Sequence, residues 1–299
     1  MISSMIRFVI AIVALIISVP TGLGQQECSV GPTLGCRAQI PAAYSPGTML
    51  PIPVVFHTVS QNNSPVVSTQ DVYDFISDLN AAVFDSVIIF NKAAVSHHSN
   101  SSFSDFGNNS EFTGFLEKYT IDPSNFINVV IPKTAYRSGG VEAIPGLTPG
   151  NEETIGTIRD GLFTTADRFP NDLSGRSFAT PIHEFGHFFG LDHTFIGDSE
   201  SCNGCDQDGV PDTPIHKNTG PSCPSLIPDT CPSRDGLDPI DNFMHVTSAI
   251  CRNRFTNGQI SRFQYFREIR RSTLCTSTAR TIFYDSQSSS QVLSNINLS

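Results

Sequence analysis

Runs of apolar residues with different periods mark the elements of this chain. Ile52 to Val59 reads IPVVFHTV, a β-branched run bounded by prolines, and predicts a strand. Ser68-Thr69 then offers a cap to a helix whose apolar residues Val72, Phe75, Ile76, Leu79 and Val83 recur at helical spacing. Phe126 to Ile131, Val141 to Ile144 and Thr154 to Ile158 are further strand candidates, each bounded by Pro or Gly. The stretch between the helix and Phe126 is rich in Ser and Asn and carries glycosylation sequons at Asn100 and Asn108, with others at Asn62 and Asn297. After residue 193 periodicity gives way to Gly, Pro, Asp and Cys, which predicts a loop-built segment. A last helix is expected from Thr256 to Ser272, striped by Ile260, Phe263, Phe266, Ile269 and Tyr265.

The N-terminus adds a compartment. Arg7 precedes an uncharged run from Phe8 to Val19, then Pro20 and the small residues Gly22 and Gly24, the pattern of a secretory signal peptide cut before Gln25. About 20 apolar residues are needed to span a bilayer, and this run is shorter. The expected organisation is a signal peptide (1–24), an N-terminal strap or pro-segment (25–49), a catalytic domain (50–275, divided at 193/194) and a flexible tail (276–299). Eight cysteines suit an oxidising, extracellular compartment. The net charge of −10 excludes the basic footprint that nucleic acid demands, and with the signal removed no membrane association is expected.

The chemistry lies in residues 183 to 193, HEFGHFFGLDH. On a helix, His183 and His187 stack on one face, which suits two ligands of one tetrahedral ion. Glu184, about 100° around the helix, is placed as a general base rather than a ligand. Gly190 can end the helix with positive φ and return His193 as third ligand. His57, His97, His98 and His216 are expected to be surface or packing residues.

HExxHxxGxxH followed by a methionine turn resembles the metzincin metallopeptidases. HTF after the third histidine, DTP at Asp212 to Pro214, GLDPIDNFM at Gly236 to Met244 and CRNRFTNGQ at Cys251 to Gln259 are similar to the pappalysin family, over roughly residues 50 to 275. The resemblance implies an α+β metzincin fold: an upper subdomain with a twisted mixed sheet and two main helices, and an irregular, disulfide-linked lower subdomain with a C-terminal helix. It implies zinc on His183, His187 and His193, Glu184 as catalytic base, and Met244 as a hydrophobic support beneath the metal.

Two positions depart from the family. Relatives carry Tyr two residues after the turn methionine, where this chain has Val246; zinc acts alone here, His245 compensates, or the site is degenerate. Relatives that cleave beside Arg or Lys carry an acidic residue where Ile250 stands, so an apolar S1′ pocket floor and a preference for hydrophobic or small side chains are expected.

Similarity to the family pairs Cys205 with Cys231 and Cys223 with Cys251. Cys28–Cys36 and Cys202–Cys275 would use the remaining cysteines, although Cys202 and Cys205 can exchange roles, and Cys28 or Cys36 can instead cap the zinc of a latent precursor. Asp206, Asp208, Asp212 and Thr213 around Gly209 offer hard oxygen ligands for calcium; the alternative is a solvated acidic loop. The expected function is a secreted, monomeric zinc endopeptidase acting on proteins or peptides. The competing expectation is a catalytically weakened secreted binding protein on the same scaffold.

Overall fold

A computed structural model of the chain describes residues 51–61, 64–83, 89–99, 109–133, 155–169, 178–195, 202 and 208–267. The signal peptide, the strap with Cys28 and Cys36, the strand expected at Val141 to Ile144, the four sequon asparagines, Cys205, Asp206, Cys275 and the tail lie outside the described residues.

Among the described residues, four parallel strands run in the order β2-β1-β3-β4: β1 (Pro51–Ser60), β2 (Ile89–Ser99), β3 (Ile127–Pro132) and β4 (Gly161–Phe163). β1 is central, and Ile52 to Ser60 are buried throughout, which is why its sequence is a nearly continuous apolar run. Ile52, Val54 and Phe56 face one cluster, while Val59 faces a second, as the two-residue period of a strand requires.

Helix α1 (Thr69–Ala82) begins at the expected cap. Ser68 accepts from the Asp71 amide at 3.1 Å while the Asp71 carboxylate takes the Ser68 amide at 2.8 Å, a reciprocal capping box. Its face Val72, Phe75, Ile76 and Leu79 is buried in the larger cluster. Phenylalanines build that core: the Phe75 ring contacts Phe56, Phe169, Phe178 and Phe185, and Phe90 of β2 contacts Phe185 and Phe189. Edge-to-face packing of this kind adds about 0.5–1.5 kcal/mol per pair beyond area burial. Helix α2 (Asn109–Tyr119) covers the other face of the sheet through Phe115 and Leu116, with Val59, Val130 and Phe163 beneath.

Three sequence expectations are corrected. The Ser/Asn-rich stretch contains β2 and α2: β2 is an edge strand with exposed Asn91 and half-buried Lys92, which blunts its alternation. Of the strand expected at Thr154 to Ile158, the described residues 155–158 are not a strand, since residues 155–159 form a turn in which Gly156 has φ +75° and donates to the Asp160 carboxylate at 2.7 Å. The strand begins instead at Gly161, where a Cβ would fall 2.7 Å from the Asn128 carbonyl oxygen. His97 and His98 belong to β2 rather than to a loop, and His98 bonds His57 at 3.1 Å between ring nitrogens.

Helix α3 (Ala179–Phe188) packs Phe185 and Phe188 into the core; Pro181 sits in its first turn, where an N–H has no intrahelical acceptor. Beyond it, residues 208–256 contain turns and isolated bridges, including Asn242 with Arg254, before α4 (Asn257–Tyr265). Thr256 and Gln259 form the capping box of α4.

Candidate active site

Local chemistry ends α3 where the motif requires. Gly190 has φ +80°, its amide bonds the His187 carbonyl at 2.9 Å, and the Leu191 amide bonds the Gly186 carbonyl at 2.9 Å. This is a Schellman motif, and it turns the chain so that His193 comes back to the helix. Arg262 of α4 fixes the same turn by donating from Nε to the Gly190 carbonyl at 2.7 Å.

The three histidines converge. The Nε2 atoms of His183 and His187 are 3.0 Å apart, those of His183 and His193 3.2 Å, and those of His187 and His193 3.3 Å. Among the described residues they form the one group of three or more His, Cys, Asp or Glu whose ligand atoms all lie within 4.8 Å of each other.

Their tautomers follow from the partners. His183 Nδ1 lies 2.6 Å from the Phe243 carbonyl oxygen and His187 Nδ1 2.8 Å from that of Leu191. A carbonyl only accepts, so both Nδ1 atoms carry the proton and both Nε2 lone pairs point at one another. Burial and the neighbouring imidazoles push the His183 pKa well below its ordinary value, so protonation does not relieve that clash. A cation between the nitrogens does: imidazole nitrogens bound tetrahedrally at about 2.0 Å stand about 3.3 Å apart. The donor set therefore fits zinc, with its orienting carbonyls already in place.

Glu184 is buried, and its Oε2 has no hydrogen-bond partner among the described residues. Burial raises its pKa well above the usual carboxylate value, and the Arg252 guanidinium opposes that rise. Met244 packs against the helix between His183 and His187: a Cβ on Gly186 would collide with the Met244 sulfur. Asn242 holds this turn, accepting from the Met244 amide at 2.8 Å and exchanging two side-chain bonds with Gln259, at 2.8 and 3.1 Å. The Asn-Phe-Met and Thr-Asn-Gly-Gln segments of the sequence are thus one interlocked unit.

A model of the family described as Pregnancy-associated plasma protein-A, Peptidase_M43, matches residues 111–268, more than half of the chain. The chain belongs to the Peptidase_M43 family. Among its relatives, an extracellular metalloprotease of Sordaria macrospora is 31% identical over 223 residues, 73% of this chain and 75% of that protein. One of Verticillium alfalfae is 43% identical over 104 residues, 34% of this chain and 36% of the relative, so that match spans about a third of the relative's length. In fold the chain is similar to mature mirolysin of Tannerella forsythia, solved with a cleaved peptide: TM-score 0.63, 22% identity, covering 77% of this chain and 97% of mirolysin.

Several M43-derived expectations change on the structure. Cys223 pairs with Cys251, but Cys231 pairs with Cys202, not Cys205, which leaves no place for a Cys202–Cys275 bond. Cys202 and Cys205 are three residues apart in the sequence, a separation that spacing alone does not resolve. Ile250 is 67% exposed in a turn closed by the Cys251 amide on the Ser248 carbonyl, so it presents an apolar side chain to solvent. His245 does not stand in for the missing tyrosine. It is fully buried, accepts from the Thr247 amide at 3.0 Å, lies 3.4 Å from Thr219 Oγ1 and packs beside Phe195 and His216. Phe195 in turn stacks on the His193 ring, with centroids 4.9 Å apart.

Of the calcium candidates, Asp208 is buried against the Thr213 hydroxyl, at 2.8 and 2.9 Å, and accepts from the Val210 amide at 3.0 Å. Asp212 takes the Thr256 hydroxyl at 2.7 Å and the Gly258 amide at 2.8 Å, which ties its carboxylate to the start of α4.

Residues that sequence reasoning passed over complete the surroundings. Arg252, 8% exposed, donates from Nη2 to Thr180 Oγ1 at 2.9 Å and from Nη1 toward the carbonyls of His245 at 3.3 Å and Phe243 at 3.4 Å. No local pattern could have signalled it, because its acceptors are two backbone carbonyls and a hydroxyl 72 residues away.

Proposed function

We propose that this chain is a secreted zinc endopeptidase, with His183, His187 and His193 holding the metal and Glu184 as the catalytic base. The observation that carries the reading is the convergence of three Nε2 atoms, together with a buried carboxylate at Glu184 whose Oε2 has no partner among the described residues. Zinc, when bound, supplies the Lewis acidity that polarises a peptide carbonyl and acidifies water. Glu184 takes a proton at its carboxylate from the attacking water and returns it to the leaving amine. The Phe243 and Leu191 carbonyls hold the His183 and His187 rings with Nε2 facing inward. Met244 fills the space under them.

Secretion is supported by the N-terminal signal pattern and by relatives named as extracellular metalloproteases. Among the described residues no helix is long and apolar enough to cross a membrane. The proposal keeps the boundaries 1–24, 25–49, 50–275 and 276–299, and a monomer. It includes calcium as a second ion at Asp208, since burial pushes that carboxyl up to about 7 and a hard cation would offset the cost. Val246 favours one competing reading, a binding protein with weakened catalysis. Purified protein on casein, with and without a zinc chelator, separates the two: cleavage that the chelator abolishes supports the peptidase, and no cleavage by zinc-loaded protein supports the binding protein.

A further inference from the structure

Arg252 is a buried cation that feels the charge of Glu184 but, among the described residues, makes its contacts through its two Nη groups alone, its Nε having no partner there. Its donors reach three acceptors that belong to the active site from two sides. Thr180 lies in the first turn of α3, one turn before His183, and Phe243 and His245 flank Met244. The Phe243 oxygen that receives Arg252 Nη1 at 3.4 Å is also the acceptor for His183 Nδ1 at 2.6 Å. The neighbouring Cys251 is bonded to Cys223, which anchors the backbone from which Arg252 extends. The guanidinium thus ties the methionine turn to the start of the active-site helix across the carbonyl that orients a metal ligand.

We propose that Arg252 is a positioning residue for His183, fixing the Phe243 carbonyl and thereby the direction in which His183 Nε2 meets the metal. Two effects of the side chain oppose each other. As a positive charge it disfavours a divalent cation nearby; as a planar fork it holds the ligand in place. The short His183 bond, made to an oxygen that Arg252 also reaches, favours positioning as the larger effect, because loss of partners outside the ligand shell typically costs 10–100-fold in metal affinity.

The proposal rests on the reading that the three histidines hold zinc, and the test separates the two. Zinc affinity is measured by chelator competition on the zinc-free full chain and on Arg252→Met and Arg252→Lys, together with the visible spectrum of each protein loaded with cobalt. Arg252→Met is expected to bind zinc about 10–100-fold more weakly with an altered cobalt spectrum. Arg252→Lys should not recover the affinity, since an ammonium keeps the disfavouring charge but not the fork. Equal or tighter zinc binding by Arg252→Met, with an unchanged spectrum, overturns the proposal, whereas failure of the unaltered chain to bind zinc overturns the underlying reading. Should Arg252→Met not fold, Thr180→Val is read in its place: a shifted cobalt spectrum supports positioning, and unchanged affinity and spectrum refute it.

Discussion

Gly186 leaves open the space that the sulfur of Met244 occupies. A side chain there would run into Met244 from the helix turn between His183 and His187. Gly186→Ala would gain up to about 1 kcal/mol of helix propensity on a free helix. Here overpacking against a fully buried methionine costs about 1–3 kcal/mol and wins. Urea unfolding of the variant should therefore show lower stability, with weaker zinc binding; a stabilised variant would show that the turn yields freely.

The histidines outside the metal centre predict acid lability. His57 and His216 are held at about 4, each chiefly by burial, against an ordinary 6.5. Their folded values are depressed, so the unfolded chain takes up protons first as pH falls through about 6.5. Stability is then lost progressively down to about 4. Denaturant midpoints across this window should fall steeply, and His57→Gln should flatten the slope. A flat profile for the unaltered chain contradicts the burial account.

Asp208 gives the opposite sign. Its carboxyl is raised to about 7, chiefly by burial, so its contribution is present below the ordinary 3.8 and lost as pH rises through about 7. Without calcium, Asp208→Asn should raise the melting temperature above neutral pH. With calcium present, the unaltered chain should gain stability and the variant should not. If calcium shifts neither protein, the ion has no place at Asp208.

Peptide mapping under non-reducing conditions should recover Cys202 joined to Cys231 and Cys223 joined to Cys251. A Cys205–Cys231 peptide would contradict the Cys202–Cys231 pairing.

Ile250 gives a specificity prediction. An exposed isoleucine, with the buried Arg252 cation two residues on, offers nothing to a substrate arginine. A peptide library should show hydrophobic or small residues at the first primed position; strong arginine selectivity would contradict this.

Legibility followed the range of the interactions. The Ser68 box, the β1 run and the HExxHxxGxxH spacing are short-range signals, and each element stands where they placed it. Helix α2 carried a readable stripe in Phe112, Phe115, Leu116 and Tyr119, masked by its Asn, Ser and Gly content. The partners that orient the site were not readable, because Phe243 lies 60 residues from His183 and contributes only a backbone oxygen. Which cysteine meets Cys231 was likewise not readable, because the pair is 29 residues apart in sequence.

The central claim is that Glu184 does chemistry while the histidines hold the metal. Zinc content and casein hydrolysis, measured together on the unaltered protein and on Glu184→Ala, test it most directly. Both should bind one zinc per chain, and only the unaltered protein should cleave. Hydrolysis by zinc-loaded Glu184→Ala at the unaltered rate, or none by the zinc-loaded unaltered protein, would contradict it.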